Sequence, residues 1–402
     1  MDTDRWRQDF PLLQTAKPLI YFDNACATLK PESVLQAMDT YNREFPTCGG
    51  RSVNRLGSRV TKAVQAARKV AARFVNAAHE DEIVFLRNTT EGINLLAHSL
   101  SLSEGDIILT TDKEHNSNLV PWQLAAKRTN AKHQVVRTQD DGTFSIDVYR
   151  AALASGSVKV VAMGMTSNLD GVSIPAQEVV SLAHEYGAVV VLDAAQAAPH
   201  QLLDVQKLEA DFVVFSGHKL CGPSGTGVLY GTRAAWTTLQ PFLVGGSTVS
   251  STTYTEYELL QVPERFEAGL QDYAGIIGLA AAMEYVDLVG RDEIARHEHK
   301  LNAYATAQLE QLSGVTILGP TDPAERGGIV SFYIPTIDMH QIAITLDTAS
   351  SVLVRSGQHC VHSWFHDRDI VGSVRLSFYL YNTTDEIDVC MAGLEKVIAV
   401  YS

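Results

Sequence analysis

Two short apolar runs constrain this chain most. Gly187-Ala-Val-Val-Val-Leu-Asp193 and Ala210-Asp-Phe-Val-Val-Phe-Ser216 are near-continuous, rich in β-branched and aromatic residues and too short for helices. They read as strands buried on both faces, a property of parallel sheets covered by helices. The first ends on Asp193 and runs into Ala194-Ala195-Gln196; the second stops at a Ser-Gly turn that delivers His218 and Lys219. The carboxyl ends of parallel strands form one edge where ligands bind, so Asp193 and Lys219 are expected in one crevice. A lysine after an edge strand is ordinarily a solvated surface residue, but at the lip of a buried sheet it can lose its proton and attack a carbonyl. Pyridoxal phosphate needs such a pair: an amine for its aldehyde and a carboxylate for its ring nitrogen.

Other junctions extend the pattern. The stretch from Glu82 to Ala97 reads as strand, turn and amphipathic helix, with Thr89 and Thr90 at the helix start. Those hydroxyls suit N-capping and phosphate binding alike, and the two roles are compatible. Asp106-Ile-Ile-Leu-Thr-Thr leads to Glu114 and His115, where an imidazole can lie against a flat ring or exchange protons above it. Arg375 sits in Ser373-Val-Arg-Leu-Ser-Phe-Tyr-Leu, a loosely alternating run, so an inward guanidinium there requires an anionic partner.

The five cysteines, Cys26, Cys48, Cys221, Cys360 and Cys390, are scattered, odd in number and without a Cys-x-x-Cys pair, which fits reduced thiols. Cys26, Cys221 and Cys390 read as small buried residues. Cys360 differs, because Val352-Leu-Val-Arg-Ser-Gly-Gln-His-Cys360 is a short strand running into a glycine-containing loop, which predicts an exposed thiol on conformationally free backbone beside Arg355. A thiolate is the nucleophile in sulfur transfer, and local positive charge favours it. His359, Cys360, His362 and His366 form a dense cluster but lack a second separated ligand pair, so no metal site is expected.

Composition excludes more than it assigns. With 402 residues and 46% hydrophobic content the chain accommodates one large and one smaller domain. A formal charge of −14 and no basic stripe argue against a nucleic-acid partner. The start lacks a secretory pattern and no apolar run approaches the roughly 18 residues of a membrane helix, so a cytoplasmic protein without a membrane partner is expected. Alternating strands and helices over residues 21–287 predict a doubly wound, mostly parallel α/β sheet. Residues 288–402, a long polar helix pattern, then strands, then a final helix, predict a smaller α+β domain. Gly245 to Thr253 is the one flexible-looking loop, expected to lie over the site.

These residues, together with Tyr21-Phe-Asp-Asn-Ala25, Asn88-Thr-Thr-Glu-Gly-Ile-Asn94, Ser167-Asn168 and Arg355-Ser-Gly-Gln-His-Cys360, resemble in order and spacing the class V aminotransferase family of fold type I pyridoxal-phosphate enzymes. More narrowly they resemble cysteine desulfurases of the SufS and CsdA kind, over nearly the whole length. The resemblance implies that Lys219 holds the cofactor, Asp193 faces its ring nitrogen, His115 stacks on the ring and Gln196 bonds its phenolic oxygen. It implies that Ser216 and His218 join Thr89 and Thr90 at the phosphate, and that Asn168 and Arg375, with Arg355 nearby, hold the substrate carboxylate. Cys360 would accept sulfur from L-cysteine as a persulfide, with selenocysteine lyase activity a close variant. The resemblance also implies that residues 1–20 cross back to join 288–402 in the smaller domain. A homodimer is implied, with Arg51 lining the partner's substrate pocket, and the short gap between Cys360 and Arg375 implies a sulfur-acceptor protein that docks to collect the sulfur.

Two positions depart from the family pattern. Leu270, in Phe266-Glu-Ala-Gly-Leu-Gln271, replaces a hydroxyl expected to reach the partner's cofactor phosphate, and Gly50-Arg-Ser-Val-Asn54 lacks the two histidines common there. An aminotransferase, epimerase or other lyase of the same family would share Lys219 and Asp193 without needing Cys360, and a non-enzymatic scaffold would need neither.

Overall fold

The computed structural model describes residues 1–15, 19–50 and 52–401. Seven strands, β1 Ile83–Leu86, β2 Ile107–Thr111, β3 Lys132–Val136, β4 Val158–Gly164, β5 Val189–Asp193, β6 Phe212–Ser216 and β7 Gly227–Gly231, form one sheet in the order β1-β7-β6-β5-β4-β2-β3. Every pairing is parallel except those of β7, which runs antiparallel to β1 and β6. This is the mostly parallel α/β sheet that the apolar runs predict.

Alternation along each strand divides its side chains between two cores. Ile83, Phe85, Val213 and Phe215 enter one hydrophobic cluster, and Val84, Leu86, Phe212 and Val214 the other. Helices Arg55–Phe74 and Tyr273–Val289 contribute to the first core, and helices Thr89–Ser99 and Asn116–Thr129 to the second. With both faces covered, strands such as β1 and β6 are buried at every residue. No single helix among the described residues is long and apolar enough to cross a membrane. Helix Tyr273–Val289 is nearly continuous in apolar residues because it packs inside the larger core.

A second, antiparallel sheet is built from β8 Thr316–Ile317, β9 Ile329–Tyr333, β10 Arg355–Gly357 and β11 Ser373–Ser377, in the order β8-β9-β11-β10. Its core takes Leu301, Ile342 and Leu394 from three helices. The N-terminal residues touch both lobes: Phe10 packs edge-on against Tyr285 and Tyr381 in the large core, while Ile20 pairs with Val352 beside the smaller sheet.

Candidate functional site

The carboxyl ends of β2, β4, β5 and β6 open onto one cavity of about 250 Å3, closed on its far side by β10, β11 and the Cys360 loop. Asp193 is the last residue of β5, and its register with Val214 on β6 sets it beside the turn that carries Lys219. That turn, Gly217–Lys219, is tight: a Cβ on Gly217 would meet Thr226 Oγ1 at 2.2 Å. Burial pushes the Lys219 amine below its ordinary pKa, against the pull of Asp193, and pushes the Asp193 carboxyl up, against the pull of Lys219. Ala195 N–H donates to Asp193 Oδ1 at 2.9 Å and holds the carboxylate in place.

Helix Thr89–Ser99 aims its N-terminus at the same cavity. Its cap is Asn88, whose side chain accepts from Glu91 N at 3.0 Å, so neither threonine is consumed by capping. Thr89 Oγ1 lies 2.8 Å from Ser216 Oγ and Thr90 Oγ1 lies 2.7 Å from Ser117 Oγ, which gathers hydroxyls from two helices and a strand end. His218 also lines the cavity; burial, then Lys219 and Lys30, lowers its pKa to about 4. A cluster of hydroxyls and a neutral imidazole at a helix N-terminus suits a phosphate.

His115 caps the helix Asn116–Thr129, accepting at Nδ1 from Ser117 N at 3.1 Å, which leaves the proton of the neutral ring on Nε2. Burial, followed by Lys219, Arg375 and His362, lowers its pKa to about 3, so the ring is uncharged at neutral pH. Gln196 donates to Ala25 O at 2.7 Å, and its buried Oε1 has no protein partner. The free amide oxygen, the acid beside a buried amine and the hydroxyl cradle match the functional groups of pyridoxal phosphate one by one.

Arg375 is buried, and the anionic partner its setting requires is Asp23, which accepts from Nη2 at 3.3 Å. Arg375 Nη1 donates to Asn168 O at 2.9 Å, and its Nε has no partner. Asn168 in turn donates through Nδ2 to His359 O at 2.7 Å, while Asn116 N donates to Cys360 O at 2.7 Å. The Cys360 loop is therefore anchored at consecutive carbonyls, with His359 and Cys360 both in left-handed backbone at φ 48° and 59°. This corrects the expectation of free backbone: the thiol is exposed, but the residues beneath it are held.

Lys219, Cys360, His115, Thr89, Thr90, Asp193, Gln196, Ser216, His218, Asn168, Arg355 and Arg375 all line this cavity. Arg51 lies outside the described residues. Cys26, expected as a buried filler, is half-buried and lines the cavity wall, because the turn after Asp23 is tied down by Ser377, Gln196 and His218 and leaves its side chain facing the opening. Residues 245–253 do not line the cavity; Val249–Thr252 forms a hairpin with Tyr257–Leu259 instead of an irregular cover. Asn54 caps helix Arg55–Phe74, and Leu270 is exposed. Among the described residues, no group of three or more His, Cys, Asp or Glu side chains is arranged to hold a metal ion.

Sequence reading assigned no role to Glu114 or Asp23. Glu114 is buried under β2 and β4 and accepts from Thr111 Oγ1 at 2.6 Å, Asn118 Nδ2 at 2.7 Å and Gly164 N at 3.0 Å. Burial outweighs these donors and raises its pKa to about 7. Glu114 adjoins His115 and Asp23 lies in the Tyr21–Ala25 stretch, signals that mark the neighbourhood of each but neither its burial nor its partners.

The aminotransferase class-V family model matches residues 20–390. A probable cysteine desulfurase from Halalkalibacterium halodurans is 39% identical over 98% of this chain and 98% of its own length. Among solved structures, an apo cysteine desulfurase from Thermococcus onnurineus NA1 superposes with a TM-score of 0.94 at 37% identity, covering 99% of this chain and 98% of that one. The cysteine desulfurase CsdA from Escherichia coli, in an S-sulfonic acid form, gives a TM-score of 0.92 at 30% identity over 100% of both chains.

Proposed function

The chain belongs to the class-V aminotransferase family, and from that premise we propose that it is a pyridoxal-phosphate-dependent cysteine desulfurase, converting L-cysteine to L-alanine and leaving the sulfur on Cys360. The observation that carries this reading is the exposed Cys360 thiol on the same cavity as the buried Lys219–Asp193 pair. An aminotransferase or epimerase has no use for that thiol, and the full-length likeness to cysteine desulfurases supports the same choice.

When bound, pyridoxal phosphate supplies an electron sink for the bond broken at the substrate Cα. Thr89, Thr90, Ser216 and His218 would hold its phosphate, Asp193 would favour a proton on its ring nitrogen, Gln196 would meet its phenolic oxygen and neutral His115 would flank its ring. Lys219 would hold the cofactor aldehyde, and its amine, whose pKa burial lowers, is placed to take the substrate Cα proton. Arg375, Arg355 and Asn168 orient the substrate carboxylate. The Cys360 thiolate attacks the substrate sulfur, forming an S–S bond as the Cβ–S bond breaks; the electron pair of that bond stays on carbon, which is protonated to the methyl group of alanine.

The decisive experiment measures alanine and sulfide released from L-cysteine, with and without thiol reductant, by the protein, Lys219→Ala and Cys360→Ala. Product lost in both variants supports the reading. Alanine formation surviving Cys360→Ala, or pyruvate in its place, defeats it. L-Selenocysteine assayed in parallel tests the lyase variant.

The anchored Cys360 loop favours a docked sulfur-acceptor protein, in iron–sulfur cluster or other sulfur-cofactor assembly; turnover as fast with plain reductant as with any acceptor would exclude that need. Exposed Val53, Tyr254, Tyr257 and Leu270 favour a homodimer, checked by sedimentation at micromolar concentration. The free thiols favour a reducing, cytoplasmic compartment.

A further inference from the structure

Asp23 stands behind the two arginines that face the cavity. Its Oδ1 is 3.3 Å from Arg375 Nη2 and its Oδ2 is 3.9 Å from Arg355 Nη1, so one carboxylate is shared between both guanidiniums. Asp23 does not itself line the cavity, whereas both arginines do. Its backbone is fixed: it bridges Ser377, the last residue of β11, and its carbonyl accepts from Cys26 N at 3.1 Å and Ala27 N at 3.2 Å. Arg375 is buried with an unpartnered Nε, and Arg355 is 47% exposed at its side chain, so donor capacity remains after Asp23 is served. Two positive charges against one negative leave a net charge of one positive at this wall of the cavity.

We propose that Asp23 is a specificity-determining positioning residue: by neutralising one of the two guanidinium charges it matches the Arg355–Arg375 subsite to a single carboxylate and disfavours dicarboxylates. The inference rests on the reading that these arginines receive the substrate carboxylate. Without Asp23 the same wall would carry two uncompensated charges and suit a doubly charged anion, because each added carboxylate would find an unshared guanidinium.

The test titrates malonate and acetate into the holoenzyme by calorimetry, for the unaltered protein, Asp23→Asn and Arg355→Gln, with KM and kcat for L-cysteine measured alongside. Asp23→Asn is expected to bind malonate about tenfold more tightly, a modest share of the interaction between unit charges at this range, and to change acetate binding much less. KM for L-cysteine, which carries a single carboxylate, should follow acetate binding and change much less than malonate binding does. Arg355→Gln removes the surplus charge and should weaken both anions. A merely structural Asp23 would lower thermal stability and raise KM without altering the malonate-to-acetate preference, and that result overturns the proposal. If Asp23→Asn does not fold, unchanged anion binding in Arg355→Gln overturns it equally. Absence of alanine from L-cysteine together with the malonate shift would defeat the desulfurase reading and leave the Asp23 assignment standing.

Discussion

Glu114 is the residue whose chemistry reaches furthest beyond its place in the sequence. Its pKa of about 7 lies above the ordinary value of 4.5, so the folded state binds its proton more tightly than the unfolded chain does. The stability it contributes is complete below about pH 4.5 and is lost as pH rises through 7. Over that window the shift corresponds to a loss of order 3 kcal/mol. Glu114→Gln cannot titrate, so the stability difference between the protein and this variant should shrink with rising pH across pH 4.5–7 in chemical denaturation. A difference independent of pH would show that the donors from Thr111, Asn118 and Gly164 keep the carboxyl ionised throughout. Cys26 and Asp23 make the same point from the other side: their types are ordinary, and their neighbours give them a place at the site.

At the scale of elements, the phosphate-binding corner depends on how closely helix Thr89–Ser99 lies on the sheet. A Cβ on Gly92 would meet Val214 Cγ2 at 2.6 Å and Leu86 Cδ1 at 2.8 Å, so this glycine permits the approach. Gly92→Ala should lift the helix from β1 and β6, costing about 1–3 kcal/mol. Because Thr89 and Thr90 move with the helix, the variant should also lose cofactor affinity, read as weaker retention of pyridoxal phosphate on dialysis. Asn88→Ala removes the cap alone and should cost about 1 kcal/mol. If Gly92→Ala retained cofactor as well as Asn88→Ala does, helix placement would not govern the phosphate site.

Across the whole molecule, the crevice keeps three histidines uncharged: His115 at about 3, His218 at about 4 and His359 at about 2. Burial is the leading cause in each, reinforced by Lys219 or by Arg375 and Arg355. A group with a lowered folded pKa supplies stability that is complete above its unfolded value near 6.5 and is lost as pH falls towards the folded one. Three such losses outweigh the single opposing gain from Glu114, so the melting temperature of cofactor-free protein should fall between pH 7 and pH 5, and the imidazole resonances of these three should not titrate in that interval. Titration of any of them near pH 6.5 would mean that the lobes open to water at the site.

Local pattern in the chain is enough to specify the sheet and its carboxyl edge. Apolar runs the length of a strand specify a sheet covered on both faces, and in a parallel sheet one edge collects the residues that follow each strand. That is why Lys219, Asp193, His115, Gln196 and Thr89 were legible from local pattern and resemblance. How residues far apart in the chain share charge, space and hydrogen bonds follows from the folded arrangement alone. Asp23 reaches Arg375 across 352 positions, and Asn168 reaches the carbonyl of His359 across 191. Such contacts leave no periodicity to read. The same holds for the raised pKa of Glu114 and the anchoring of the Cys360 loop, since desolvation and packing depend on which surfaces meet when the two lobes close around one cavity.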